Sequence, residues 1–289
     1  MVSEILEVLI DAVLEGAEEV LHVRASTEVG AHYKDATELV TLADLRSDAA
    51  IRAVLVKRLP EVDGQIGFHL EESGASGVLG SKRVGADPLD GTNHFASGGQ
   101  YYSVQAHYVE DGVPQCGVVF QPEAFLPFSE SDHCTGRLVY AMRGQGAFIE
   151  RTEFDGAGFN LTGRRRVVKH EVPLTQSFVA CVPISTKMNA EEKARALRVH
   201  ASGLIGVSTG LGGAGANVLM AVFGGQHVYA NFGAGDDLDL IPPQVIAEEA
   251  GLTVWGVERR PPVWNVKKQA FVVAPDAVIA ERFLVAAGF

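Results

Sequence analysis

Residues 87 to 92 read Asp87-Pro88-Leu89-Asp90-Gly91-Thr92, the stretch DPLDGT, directly after Val84-Gly85-Ala86. Two carboxylates separated by a turn-forming Pro-Leu pair suit convergence on one hard cation, and the Leu89 carbonyl between them offers a third oxygen. Gly91 lets the backbone approach an anion closely. A helix beginning at Thr92 would aim its first N–H groups and positive dipole end at the same point, which suits a phosphate. Cations and anion are therefore expected to meet in this one loop.

Upstream of the loop, Ile5, Leu6, Leu9, Val13 and Ala17 fall mostly on one helical face, with Ser3 as the expected cap. A second helix is expected over residues 45–59, preceded by the β-prone Leu39-Val40-Thr41 and closed by Pro60. Downstream, residues 101–108 and 117–120 read as partner strands around the acidic turn Glu110 to Gly112, a hairpin of an antiparallel sheet. Residues 150–170 carry few apolar side chains, several glycines and the triplet Arg164-Arg165-Arg166. They read as a mobile arm, its arginines a solvated hairpin face in preference to a substrate or partner contact. Beyond it, 178–182 and 226–231 read as strands and 216–223 and 243–250 as buried helices.

A chain of 289 residues with 47% hydrophobic content can bury a large core. The formal net charge of -12 argues against nucleic-acid and acidic-membrane partners, since its field repels both. A phosphate substrate fits such a chain only if bound divalent cations make the site locally positive. Cys116, Cys134 and Cys181 are widely spaced, with no CxxC pair, and read as small buried or free thiols. Acids interrupt every apolar stretch of the first twenty residues, so no signal peptide is read there, and a cytoplasmic location is expected.

Four separated segments place acids beside β-prone or turn sequence: Asp44 in VTLAD, Glu71 and Glu72 in LEES, Asp87 with Asp90, and Asp239 before LIPP. Each alone is bland; together they suit a hard-cation site, because crowded carboxylates repel one another unless metal lies between them. A different class is suggested by Gly210, Gly212 and Gly215, which spell GxGxxG ahead of a helix, the fingerprint of a dinucleotide-binding oxidoreductase. The late position of the motif and the absence of an acid at the end of the next strand, Asn231, weigh against it. An aspartyl-nucleophile DxDxT site fails on the three-residue spacing of Asp87 and Asp90. An EF-hand fails because ligands do not alternate, and a zinc hydrolase because no HxH or HExxH occurs. His94 reads as a helix-surface residue near the site. A non-catalytic interaction protein is the remaining class, disfavoured because the acids are intact.

VTLAD, LEES, DPLDGT and DLIPPQVIAEEAG occur in an order and spacing that resembles the inositol monophosphatase family over nearly the whole chain. The run GGAGANVLMAVFGGQHVYAN also looks like that family's small-residue turn, helix and strand. The resemblance implies an α/β (α+β layered) sandwich of alternating helices and sheets. Residues 1–150 would form an antiparallel-sheet lobe carrying most metal ligands, and 151–289 a smaller α/β lobe with Asp239 and the substrate contacts. It implies that Glu71, Asp87 and the Leu89 carbonyl hold one Mg2+, that Asp87, Asp90 and Asp239 hold a second, and that a weaker third lies near Glu71. Thr92 with Asp44 would orient and deprotonate the attacking water, with Glu72 standing behind Glu71.

By the same resemblance, Leu89, Asp90, Gly91, Thr92, Gly212, Gly213, Ala214, Asn231 and Asp239 would contact a small phosphorylated polyol, sugar or nucleotide. Li+ would inhibit, and the chain would form a homodimer as related proteins often do. Three positions depart from the family pattern. Leu70 stands for the glycine before the first Glu and bears on the third ion, and Leu238 replaces a Trp. Asn231 stands where inositol-cleaving members often place an acid, which puts inositol itself in question.

Overall fold

The chain was analysed as a computed structural model, which describes residues 1–26, 30–33, 39–122, 136–156, 158–171, 176–210, 212–233, 235–264 and 268–289. In chain order the first elements are α1 (Val2–Ala25), β1 (His32–Tyr33), β2 (Leu39–Val40), α2 (Leu42–Val62), β3 (Gly67–Leu70), β4 (Gly74–Ser76), β5 (Lys82–Asp90) and α3 (Thr92–Ala96). A run of strands follows: β6 (Ser103–Glu110), β7 (Val113–Pro122), β8 (Gly136–Met142), β9 (Gly146–Phe154) and β10 (Phe159–Val167). Then come β11 (Phe178–Cys181), α4 (Ala190–Ala201), β12 (Ile205–Ser208), α5 (Ala214–Val222), β13 (Val228–Asn231), α6 (Asp237–Glu249), β14 (Thr253–Gly256), β15 (Phe271–Ala274) and α7 (Ala277–Ala287).

Eight strands form one sheet in the order β10-β9-β8-β7-β6-β5-β3-β4, antiparallel except where β3 runs parallel to β5. Five form a second in the order β12-β11-β13-β15-β14, with β11 parallel to β12 and β13. The central strands are apolar on both faces, so both faces must be covered. Along β7, Val118 and Phe120 pack with α1 and α2, while Val119 packs on the other face with α5 and α6. That second core also takes Tyr229, Val254 and Phe271 from the smaller sheet. The far face of the smaller sheet packs on α4 and α7 through Phe178, Val199, Ile279 and Phe283. The layers thus run helix, sheet, helix, sheet, helix, the alternating two-lobed α/β sandwich expected.

Several local expectations need correction. Ser3 does not cap α1, which starts at Val2 from Met1 with no side-chain cap bond. Pro60 lies inside α2 rather than ending it. The N–H it lacks would have bonded the carbonyl of Val56, a residue exposed to water, so solvent can satisfy that oxygen. α6 starts six residues before Pro243 and contains both Pro242 and Pro243. A proline at 243 leaves the Asp239 carbonyl without its helical partner, and the buried Gln105 donates Nε2–H to it at 3.2 Å.

The 150–170 segment is the β9–β10 hairpin built into the edge of the large sheet, so it is not a detached arm. Its arginines are exposed there, with Arg164 stacked 4.3 Å from the Phe148 ring centroid. The lobe boundary expected at 150/151 falls inside β9, and the large sheet continues to Val167. Cys116 and Cys181 are buried thiols that burial pushes up to about 12, while Cys134 lies outside the described residues. Among the described residues no helix is long and apolar enough to cross a membrane.

Candidate metal centre

Residues three apart on a regular strand point to opposite faces, so Asp87 and Asp90 need a device to converge. Asp87 pairs with Gln105 and Asp90 with Ser103, three residues on β5 against two on β6. This β-bulge at Pro88-Leu89 returns both aspartates to one side. It forms where Pro88 has no N–H for the ladder, and Asp87 Oδ1 closes the turn by accepting the Leu89 N–H at 2.9 Å. Gly91, at φ 94, then swings the chain into α3.

Asp239 and Asp44 are held by the same device on different helices. In α6, Asp236 caps the first turn and donates its backbone N–H to Asp239 Oδ2 at 3.1 Å. In α2, the backbone N–H and hydroxyl of Thr41 donate to Asp44 Oδ2 at 2.7 and 2.6 Å. Each is the fourth and last residue of a capping box, the third position of its helix, which fixes one carboxylate oxygen and leaves the other to work elsewhere. Asp44 Oδ1 accepts the Thr92 hydroxyl at 2.9 Å.

Asp90 is clamped most tightly. The N–H groups of Ala214 and Gly215, at the start of α5, donate to its two oxygens at 3.0 and 2.8 Å, and the Ser103 hydroxyl adds a bond at 3.1 Å. A Cβ at Gly213 would lie 2.1 Å from Asp90 Oδ1, so only glycine permits this approach. The GxGxxG stretch therefore has a local explanation: two of the donors that would greet a pyrophosphate bond a carboxylate of the same chain.

Carboxylate oxygens of Asp87, Asp90 and Asp239 lie within 4.8 Å of one another. Glu71, just past β3, is outside that triad but hydrogen-bonds Asp87. Around them is a cavity of about 240 Å³ lined also by Leu89, Gly91, Thr92, Gly212, Gly213, Ala214 and Asn231. Asp44 reaches it through Thr92, while Glu72 stands beside Glu71 outside the lining. Asn231 is buried, its amide nitrogen donating to the Tyr229 hydroxyl at 3.0 Å and its oxygen accepting the Gly233 N–H at 2.8 Å. Leu70 is buried at the end of β3 and Leu238 in the first turn of α6. His94 lines the cavity from α3, edge-on to Tyr101.

Burial, then the charges of Glu71, Asp239 and Asp90, pushes the Asp87 carboxyl well above its usual range. Burial likewise raises Asp239, reinforced by Asp236, Asp90 and Glu71. Glu71 is lifted to about 7 by burial, and Asp90 to about 6 by burial against the pull of its three donors. Crowded, buried, all-oxygen donors fit a hard divalent cation such as Mg2+, whose charge removes the repulsion.

A pH dependence follows. Folded values above the unfolded ones mean that the metal-free fold binds these protons more tightly than the unfolded chain. Their stabilisation is complete below the unfolded values and is lost as pH rises through about 6 and about 7. Between about pH 5 and pH 8 the metal-free protein should lose on the order of 3 kcal/mol. Mg2+ should restore thermal stability at the upper end; a flat melting profile without metal would show that these acids are not packed together.

A model of the inositol monophosphatase family matches residues 1–287. The chain belongs to the inositol monophosphatase family. The chain is 34% identical over 118 residues to the histidinol-phosphatase of Mycobacterium tuberculosis, covering 41% of this chain and 38% of the relative. It is 30% identical over 154 residues to an inositol-1-monophosphatase of Rhizobium meliloti, covering 51% and 50%. The match thus spans half or less of the length of these curated relatives. The extragenic suppressor protein suhB of Bartonella henselae superposes with a TM-score of 0.77 at 18% identity, covering 98% of each chain. An inositol monophosphatase of Zymomonas mobilis superposes at 0.74 with 15% identity, covering 99% and 98%. At such identities the likeness carries the fold.

Sequence reading missed several residues that shape this family member's site. Asp48, one turn beyond Asp44, is buried and accepts the Ser73 N–H at 3.2 Å, anchoring the turn that bears Glu71. Its i, i+4 relation to Asp44 was a signal for a shared face. Asp236 with Asp239 spells a capping box, as does Thr41 with Asp44. Ser103, Gln105 and Lys187 had no sequence signal, since only the fold brings β6 and the loop after β11 to the cavity.

Proposed function

We propose that this protein is a Mg2+-dependent phosphomonoesterase acting on a small phosphorylated polyol or sugar. The observation that carries the reading is the triad of buried Asp87 and Asp90 with half-buried Asp239, beside the hydrogen-bonded Thr92-Asp44 pair, in one small cavity. Glu71, Asp87 and the Leu89 carbonyl would hold one ion and Asp87, Asp90 and Asp239 a second, with a third near Glu71. Bound Mg2+ would neutralise phosphate charge and lower the pKa of a water.

Thr92 would donate its hydroxyl hydrogen to Asp44, leaving oxygen lone pairs to accept from and orient the attacking water; Asp44 is the ultimate proton acceptor. Burial raises Asp44, which suits a base better than an ordinary aspartate does. Backbone N–H groups of Gly91 and Thr92 would position phosphate oxygens, and Gly212, Gly213, Ala214 and Asn231 would face the rest of the molecule. A cavity of about 240 Å³ lies below the roughly 300–1,000 Å³ of drug-sized sites, which favours a small metabolite over a dinucleotide. A nucleoside bisphosphate, part of it outside the cavity, is the second reading within the same chemistry.

The test is phosphate release from a panel of phosphomonoesters with Mg2+, with chelator, and with Li+ added. Release that needs Mg2+ and is suppressed by chelator is expected. Equal release in chelator would remove the reading, while insensitivity to Li+ would remove only the third-ion and lithium part of it.

A further inference from the structure

We propose that Tyr229 is a specificity-determining residue whose phenolic hydrogen binds an oxygen of the organic part of the substrate, and that Asn231 is the positioning residue that turns this hydrogen into the cavity. The inference rests on the phosphatase reading and narrows how its substrate is chosen. Tyr229 and Asn231 stand two apart on β13, so their side chains leave the same face of the strand, and both line the cavity. The Tyr229 ring is held in the core edge-on to Phe271, with 6.0 Å between centroids, and the residue is only 2% exposed. A Cβ at Gly235 would lie 3.2 Å from both Asn231 Nδ2 and Asp239 Oδ2. The amide, and the hydroxyl bonded to it at 3.0 Å, therefore sit beside the acid cluster.

The direction of each hydrogen is fixed by chemistry. Only the amide oxygen of Asn231 can accept the Gly233 N–H at 2.8 Å, so the amide nitrogen is the group that faces Tyr229, and a nitrogen of that kind can only donate. The tyrosine oxygen is thus the acceptor in that bond, and its own hydrogen is left to point elsewhere. Among the described residues no group accepts it. The nearby carboxylates take their hydrogen bonds from other donors, Asp90 from Ser103, Ala214 and Gly215, and Asp239 from the Asp236 N–H. A buried O–H without an acceptor costs free energy until a ligand supplies one. A hydroxyl or ring oxygen of a polyol or sugar phosphate does so; a methylene or a protonated amine does not, since neither has a lone pair to offer. β13 belongs to the smaller sheet, whereas the N–H groups of Gly91 and Thr92 that would hold the phosphate follow β5 of the large one, so the contact falls on the organic part.

Glucitol 6-phosphate and hexyl phosphate isolate the effect, because both carry a six-carbon chain and only the first has oxygens along it. At saturating Mg2+, Tyr229→Phe should raise KM for glucitol 6-phosphate about three- to tenfold. It should leave kcat, and the KM or inhibition constant of hexyl phosphate, within about twofold of wild type. Asn231→Ala should raise KM for glucitol 6-phosphate as well, yet cost nothing further when added to Tyr229→Phe, because it acts only through the hydroxyl. No effect of Tyr229→Phe, an equal effect on both esters, or one that fades as Mg2+ is raised overturns the inference, and this comparison decides the contact by itself. An Asn231→Ala loss that adds in full to that of Tyr229→Phe overturns the positioning role and makes the amide itself the contact. If glucitol 6-phosphate is not cleaved in Mg2+ while another ester is, the inference fails alone; if no ester is, the phosphatase reading fails with it.

Discussion

Asp90→Asn should lower Mg2+-dependent phosphate release by about a thousandfold, equivalent to about 4 kcal/mol of transition-state stabilisation. Losing a residue that merely supports a metal ligand costs roughly 10- to 100-fold in metal affinity or activity, and Asp90 is proposed as a ligand itself. The variant keeps its shape but loses a negative charge at the centre of the triad. Its fold should survive because two effects oppose each other. The new amide turns N–H groups toward the start of α5, leaving one of the Ala214 and Gly215 donors unmatched at a cost of about 1–3 kcal/mol. Removing one of several repelling carboxylates gives part of that back. A native circular dichroism spectrum with near-zero turnover is the expected result, and turnover equal to wild type would refute the metal assignment.

The second large effect is expected at Thr92. Thr92→Val conserves volume but removes the hydroxyl that joins the cavity to Asp44, and kcat should fall about 10²- to 10⁴-fold with KM little changed. The hydroxyl also lies 3.0 Å from the Leu89 carbonyl, so the variant should lose stability as well. Thr92→Ser separates the roles: a hydroxyl without the methyl group should recover most of the rate. If Thr92→Val instead leaves kcat intact and weakens Mg2+ binding, Thr92 holds the Leu89 carbonyl in place for metal and does not orient water.

The DPLDGT loop was legible because its geometry is local. A proline that cannot join the ladder, an aspartate that closes its own turn and a glycine with positive φ are all written in consecutive residues. The layered architecture came only through the resemblance of the spaced motifs to the inositol monophosphatase family, and the strands apolar on both faces give its physical reason, since they demand helices on both sides. What failed depended on contacts between distant residues. The β9–β10 hairpin looked like an arm because an edge strand faces water over most of its length, and only its pairing with β9 makes it part of a sheet. The start of α6 was hidden by two prolines whose cost is offset in part by a glutamine 134 positions away in the sequence. Lys187 was invisible because a single lysine in a loop carries no pattern until the loop is placed.

α6 is in contact with β5 to β9 of the large sheet on one side and with β14 of the small one on the other, and it delivers Asp239 from its first turn. Spreading the two sheets like the shells of a clam would tear that helix from one of its beds and expose a continuous apolar seam. Under the phosphatase reading, a reactant and its products would therefore pass side chains and short turns at the rim, while the keel between the sheets stays put.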